Sequence, residues 1–319
     1  MTTEATKGKP RWLRRRLPTG PEYERIRSLI KDQCLATVCQ EAMCPNQFEC
    51  FGKGTATFMI LGDRCSRNCR FCAIGHGPQG PPDPEEPRRV TEAVRSMGLS
   101  YCVITSVTRD DLADGGAGHF AATIQAIRAG NPQILIEVLI PDFQGDSQAL
   151  ATVLAAQPDV LNHNLETVER LYSAVRPEAD YGRSLELLKR SKAIAPDLVT
   201  KCGIMVGLGE TAKELTGLFN DLRQTGCDIL TIGQYLQPSR GHLEVVRFLP
   251  PEEFTILEQQ ALALGFGAVA AAPFVRSSYQ ADTLYRQALA AASADPERTA
   301  TLQPSPGRIQ ASRLPHEEC

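Results

Sequence analysis

Cys65, Cys69 and Cys72 stand at C-x-x-x-C-x-x-C spacing. Iron-sulfur clusters are held by cysteine thiolates, normally four. Three thiols with no fourth close behind fit three corners of a cube and leave one iron open to a substrate or cofactor. A structural zinc is the competing reading, but zinc closes with four ligands, usually as paired Cys or Cys/His sets, and the nearest histidine is His76. A second set, Cys39, Cys44 and Cys50, has C-x4-C-x5-C spacing, with Cys34 five residues ahead of it. Two triplets mean two clusters, or one cluster and one metal. Buried cysteines acting as small apolar residues would not gather within a dozen polar positions. Pro45, Asn46 and Gly52 read as a loop that can fold its thiols inward.

Other chemistry-bearing residues recur downstream. Asp114, Gly115 and Gly116 offer a carboxylate beside a glycine turn, or only a turn. Asn164 and Glu166 alternate to one side where an ordinary core strand would stay apolar. Gly203, Gly207 and Gly209 leave room for an adenine or ribose to approach closely, and Gln234, Tyr235 and Gln237 follow a later strand pattern.

The elements that must position them alternate. Strand patterns fall over 56–61, 101–107, 134–140, 160–165, 199–206 and 228–235. Helix patterns fall over 21–34, 90–97, 119–128, 147–156, 167–175, 181–194, 212–223 and 251–264. Six strands separated by helices imply right-handed crossovers and a parallel sheet. The fold class expected is α/β, with the first triplet on the loop after the first strand, at the carboxyl face where such barrels keep their sites. Four segments follow: an N-terminal arm and cysteine loop over 1–54, the barrel over 55–265, a C-terminal extension over 266–292, and a disordered tail over 293–319. Residues 1–9 read as either an arm or a solvated tail.

The balance of 34 basic and 37 acidic residues gives no field that would gather nucleic acid. No apolar run approaches the ~18 residues of a membrane span. The Arg-rich start could mimic a transit peptide but has no apolar segment of a secretory signal. Eleven cysteines, odd in number and clustered, do not read as a disulfide framework. They suit reduced, metal-binding thiols in a cytoplasm. Cys102, Cys202 and Cys227 lie on apolar patterns and read as packing residues, and Cys319 is isolated.

The first triplet, with Phe71 before its last cysteine, resembles the signature of the radical S-adenosylmethionine (SAM) enzymes. The resemblance implies a partial (β/α)6 barrel and a 4Fe-4S cluster whose open iron takes the amino and carboxylate groups of SAM. Reductive cleavage then yields a 5′-deoxyadenosyl radical. Asp114, Gly115 and Gly116 resemble the motif that receives the SAM amino group.

Over roughly residues 10–290 the chain is similar to the lipoyl synthase family. The match is carried by both cysteine sets and by ITSVTRDDL from Ile104, NHNLET from Asn162, Arg176 with its neighbours, MVGLGE from Met205, GQYLQP from Gly233 and VRSSY from Val275. That family inserts two sulfur atoms at carbons 6 and 8 of an octanoyl chain on a carrier-domain lysine. Unactivated C–H bonds offer no acidic proton, so acid-base residues cannot do this and a radical must.

The resemblance implies that Cys65, Cys69 and Cys72 serve the radical cluster. Cys39, Cys44 and Cys50 would hold a second 4Fe-4S cluster that gives up its sulfides, with Ser277 as its fourth ligand. Cys34 is the rival to Ser277 on ligand chemistry alone. SAM contacts would come from Asp114, Gly115, Gly116, Asn164, Glu166, Arg176, Gly203, Gly207 and Gln237. Implied partners are octanoylated lipoyl carrier domains (2-oxo acid dehydrogenase subunits and the glycine cleavage H protein), a ferredoxin or flavodoxin reductant, and an iron-sulfur carrier. Two departures are Cys202, where Ser is expected, and Gln280, where His is more usual. A different radical enzyme with an auxiliary cluster, or a non-catalytic metal scaffold, would share the first triplet but not VRSSY and the strand-end motifs.

Overall fold

A computed structural model describes residues 10–14, 21–52 and 56–294. The expectations for residues 1–9 and for most of the tail lie outside the described residues.

All six expected strands form: β2 (Thr57–Ile60), β5 (Tyr101–Ser106), β6 (Leu135–Leu139), β7 (Val160–Asn162), β8 (Val199–Val206) and β9 (Ile229–Gln234). They pair in parallel and in chain order. Two further strands of this sheet were not foreseen. β1 (Ala36–Thr37) lies antiparallel on β2, and β10 (Ala268–Ala272) is parallel to β9. The sheet thus runs β1-β2-β5-β6-β7-β8-β9-β10, and among the described residues its two edges are not joined. This is an incomplete barrel. A separate pair, β3 (Arg64–Cys65) and β4 (Gly75–His76), brackets the loop that carries the first triplet.

Between the strands run α4 (Glu86–Ser96), α5 (Ala117–Gly130), α6 (Ser147–Ala155), α7 (Tyr172–Val175), α8 (Tyr181–Ile194), α9 (Ala212–Gln224) and α10 (Pro251–Ala263). Their starts follow local chemistry. Asp180 accepts from the Arg183 N–H to begin α8, and Thr211 with Glu214 forms a reciprocal capping box at α9. The expected helix over 167–175 is instead a short 3-10 turn, Glu169–Leu171, followed by α7.

N-terminal to the barrel lies α1 (Pro21–Asp32), two residues shorter than its apolar pattern suggests. The cysteine segment is not a plain loop: it holds α2 (Val38–Glu41), capped by Thr37, and α3 (Gln47–Gly52). Pro45 and Asn46 mark the turn between these helices, so the loop signal was true of that turn only.

A last helix, α11 (Ala281–Ala294), covers the amino end of the barrel. Its Leu284, Tyr285 and Ala288 pack with Val160, Val199, Ile229 and Ala268, the residues that begin or nearly begin their strands. The opposite, carboxyl end is therefore the one left for a site. Inside the barrel, Lys201 pairs with Glu137 at 2.9 and 3.1 Å with both side chains fully buried. Tyr101 and Asn162 also donate to Glu137.

Candidate functional site

A cavity of about 550 Å³ opens among the carboxyl ends of the strands. Cys39, Cys44, Cys65, Cys69, Cys72 and Ser277 all line it. Cys50 does not; it is partly buried and packs against the core. The first triplet and two cysteines of the second, separate in sequence, therefore face one space.

The first triplet is pinned by the barrel. The Thr108 N–H donates to Cys65 Sγ at 3.3 Å, and the Ser66 N–H donates to the Thr108 carbonyl. Arg67, between the cysteines, is buried and binds Asp110 and Asp142, each at 2.6 Å. On the far side, His242 Nε2 donates to the Cys72 carbonyl at 3.0 Å. Gln237 in turn donates to the His242 carbonyl.

The second triplet is tied to the C-terminal extension. Asn46 donates to the Phe274 carbonyl at 2.7 Å, and the Tyr279 hydroxyl donates to Glu49 at 3.1 Å. These two bonds straddle Ser277 and bring it over the barrel mouth.

Burial pushes the thiols of Cys39 and Cys72 up to about 12. It also raises Cys69, with the Arg176 guanidinium opposing it. Such thiols give up their protons to a metal rather than to water. No described cysteine is in a disulfide, so the donor set fits thiolate-bound iron. Among the described residues no three His, Cys, Asp or Glu side chains converge as ligands of one ion. A cluster spreads its thiolates over separate irons, so its ligands need not converge in that way.

The polar wall comes from the end of β7 and the loop after it. Burial and the Arg176 charge lower His163 to about 4, so it is neutral. Its Nδ1–H donates to the Ile140 carbonyl at 2.9 Å, which leaves Nε2 as an acceptor. That nitrogen has no protein partner, and neither do Asn162 Oδ1, Asn164 Oδ1 and Ser106 Oγ, all on residues that line the cavity. Buried polar atoms are rarely left so, and a ligand rich in hydroxyl and amino donors would satisfy them.

Glu166 is held at φ 66, the left-handed region that side chains rarely adopt, by an isolated bridge to Ile204 of β8. Burial raises its carboxyl, and Arg176 opposes the rise. Arg176 is itself fixed by donating to the Asn164 and Leu165 carbonyls.

Not every expected contact is at the cavity. Both oxygens of Asp114 are spent at the start of α5, accepting from the Gly116 and Gly118 N–H groups. Gly115 is bare because Phe143 packs over it, and Gly116 because Leu61 does. These three residues form the turn rather than a cavity wall. Gly207 is likewise covered by the Gln234 side chain and the Arg247 backbone. Gly203 does line the cavity, but a Cβ there would meet Asn164 Oδ1 at 2.7 Å and Ser277 Oγ at 2.9 Å, so its space is taken by protein. Asn164, Glu166, Arg176 and Gln237 do line the cavity. His163 and the Arg67–Asp142 pair were missed. Asp142 lies 75 positions from Arg67, so no local signal joins them.

The family model for the radical SAM superfamily matches residues 59–222. A lipoyl synthase of Desulfotalea psychrophila is 63% identical over 281 residues, covering 88% of this chain and 94% of that one. The chain belongs to the lipoyl synthase family. Further lipoyl synthases, from Thiobacillus denitrificans and Thermus thermophilus, are 55% and 53% identical, covering 91% and 88% of those proteins. The fold is also that of Streptococcus suis SuiB bound to S-adenosylmethionine, with a TM-score of 0.53 at 10% identity over 70% of this chain and 54% of that one.

Within the lipoyl synthase family this chain's Cys202 keeps a packing role. It is fully buried, and its sulfur accepts from the Leu165 N–H at 3.4 Å, a bond a serine hydroxyl could also accept. Cys102 and Cys227 are also fully buried, as their apolar patterns imply.

Proposed function

We propose that this cavity inserts two sulfur atoms at carbons 6 and 8 of a protein-bound octanoyl group, the reaction of a lipoyl synthase. In this reading Cys65, Cys69 and Cys72 hold the radical cluster, and Cys39, Cys44, Cys50 and Ser277 hold the sulfur-donating one. The observation that carries it is the shared cavity: Cys65, Cys69 and Cys72, with Cys39, Cys44 and Ser277, border one space. When bound, the first cluster with SAM supplies one-electron cleavage to a hydrogen-abstracting radical, and the second supplies sulfide.

The chain's own residues bind, aim and exclude water. Met59, Val103, Leu139 and Ile140 offer an apolar wall for an unfunctionalised alkyl chain. Opposite, His163 Nε2 and the Asn162 and Asn164 carbonyl oxygens can accept from ribose hydroxyls or amino groups. Glu166 and Arg176 set the charge next to Cys69. Arg67, locked by two carboxylates, holds the cysteine loop in place. The family resemblance supports as substrate an octanoylated carrier domain of a 2-oxo acid dehydrogenase or glycine cleavage system. A ferredoxin or flavodoxin would deliver electrons, an iron-sulfur carrier would rebuild the second cluster, and the cytoplasm would supply the reducing setting.

The test is to incubate the anaerobically reconstituted chain with SAM, reductant and an octanoylated peptide and to follow the peptide mass. Gain of two sulfurs with no change in hydrogen count, the dithiol expected under reductant, supports the reading, and an unchanged peptide contradicts it. Iron and labile sulfide at about eight each per chain support two cubane clusters, whereas about four would leave one triplet with another role.

A further inference from the structure

Asn164 uses both hydrogens of its side-chain amide. One goes to Glu166 Oε1 at 2.9 Å and the other to Ser277 Oγ at 2.7 Å, across 113 positions of chain. The junction sits over Gly203, whose missing side chain makes the space for it. The Asn164 backbone is fixed as well, since its carbonyl accepts from Arg176 at 2.8 Å. Asn164 is therefore a rigid donor aimed at the one oxygen proposed to complete the second triplet.

We propose that Asn164 is the positioning residue of the auxiliary centre: its amide N–H aims Ser277 Oγ and stabilises it as an iron ligand. This rests on the reading of Ser277 as that ligand. A serine hydroxyl rotates to suit its partners, and a donor fixed on one side of the oxygen settles which lone pair remains for a metal. Partners that orient a ligand in this way commonly change metal affinity by ~10- to 100-fold when removed. The same amide holds Glu166, beside Arg176 and Cys69, so one side chain links the surroundings of the two triplets.

The test uses the full chain carrying Cys65→Ala, Cys69→Ala and Cys72→Ala, so that only the auxiliary cluster is reconstituted. Its loss to an iron chelator is followed by absorbance, and the serine-bound iron by Mössbauer spectroscopy. Asn164→Ala should lose the cluster about 10- to 100-fold faster and show a changed signal for one iron. Ser277→Ala should be as labile, the double variant no worse than Ser277→Ala, and Asn164→Ala combined with Ser277→Cys as stable as Ser277→Cys alone. Wild-type cluster loss in Asn164→Ala, beside a labile Ser277→Ala, would overturn the proposal and keep the ligand. An Asn164→Ala effect that persists in both Ser277 variants would also overturn it, by showing a general packing role. A Ser277→Ala protein with wild-type cluster loss and Mössbauer spectrum would overturn the ligand reading itself.

Discussion

Asn46 and Phe274, 228 positions apart, are joined by a 2.7 Å hydrogen bond from the asparagine amide to the phenylalanine carbonyl. It fastens the cysteine segment between α2 and α3 to the chain just before Ser277. Asn46 is only 1% exposed. Asn46→Ala should lower unfolding free energy by about 1–3 kcal/mol, the cost of losing a buried hydrogen bond. Denaturant titration measures this, and iron content should fall at the auxiliary site before the radical site.

Cys65→Ala, Cys69→Ala and Cys72→Ala should each abolish 5′-deoxyadenosine formation, because three ligands are the fewest that hold the cluster with one iron open. Cys39→Ala, Cys44→Ala and Cys50→Ala should keep cofactor cleavage and deliver no sulfur. Chromatography of 5′-deoxyadenosine beside product mass separates the two phenotypes. Lipoyl product from any of the second group would remove that triplet from the donor role.

Lys201 and Glu137 are a fully buried ion pair beneath Asn162 of the cavity floor. Lys201→Met should cost about 3–5 kcal/mol, because it leaves a buried carboxylate without its cation. Adding Glu137→Gln should recover much of that loss. A single variant as stable as the parent would mean that water reaches the pair.

Asp142 makes the stability of the fold sensitive to acid. Burial alone would raise its carboxyl, but the Arg67 bond and charge outweigh this and hold it down at about 2. A carboxyl depressed in the folded state contributes its stability above the unfolded value near 4 and loses it as pH falls toward 2. The contribution is about 2 kcal/mol. Stability should therefore drop between pH ~4 and ~2, and Asp142→Asn should flatten that part of the profile. An unaltered acid limb in Asp142→Asn would contradict the pairing.

Much of the barrel was legible because its strands are apolar runs punctuated by turns: α8 and β8 begin and end where the periodicity places them. β10 was hidden because Ala268, Ala270, Ala271 and Ala272 carry the strongest helix preference, and only pairing with β9 makes them a strand. α11 was unread for a different reason, since its partners are strand starts far away in sequence. Cysteine spacing is a local property of the chain, so both triplets were legible as candidate ligand sets. Asp114 shows the limit of that approach: a carboxylate beside glycines reads the same whether it binds a ligand or braces a turn, and here it accepts from the Gly116 and Gly118 N–H groups of the turn into α5.

The central claim is that sulfur leaves the triplet of Cys39, Cys44 and Cys50 for an octanoyl chain in the shared cavity. The most direct measurement is a single turnover with protein whose clusters were rebuilt with heavy-isotope sulfide, followed by mass spectrometry of the octanoylated peptide. Two heavy sulfurs should appear in one product molecule, with matching loss of labelled sulfide from the protein. Product carrying only natural-abundance sulfur, or an intact auxiliary cluster after turnover, would contradict the account.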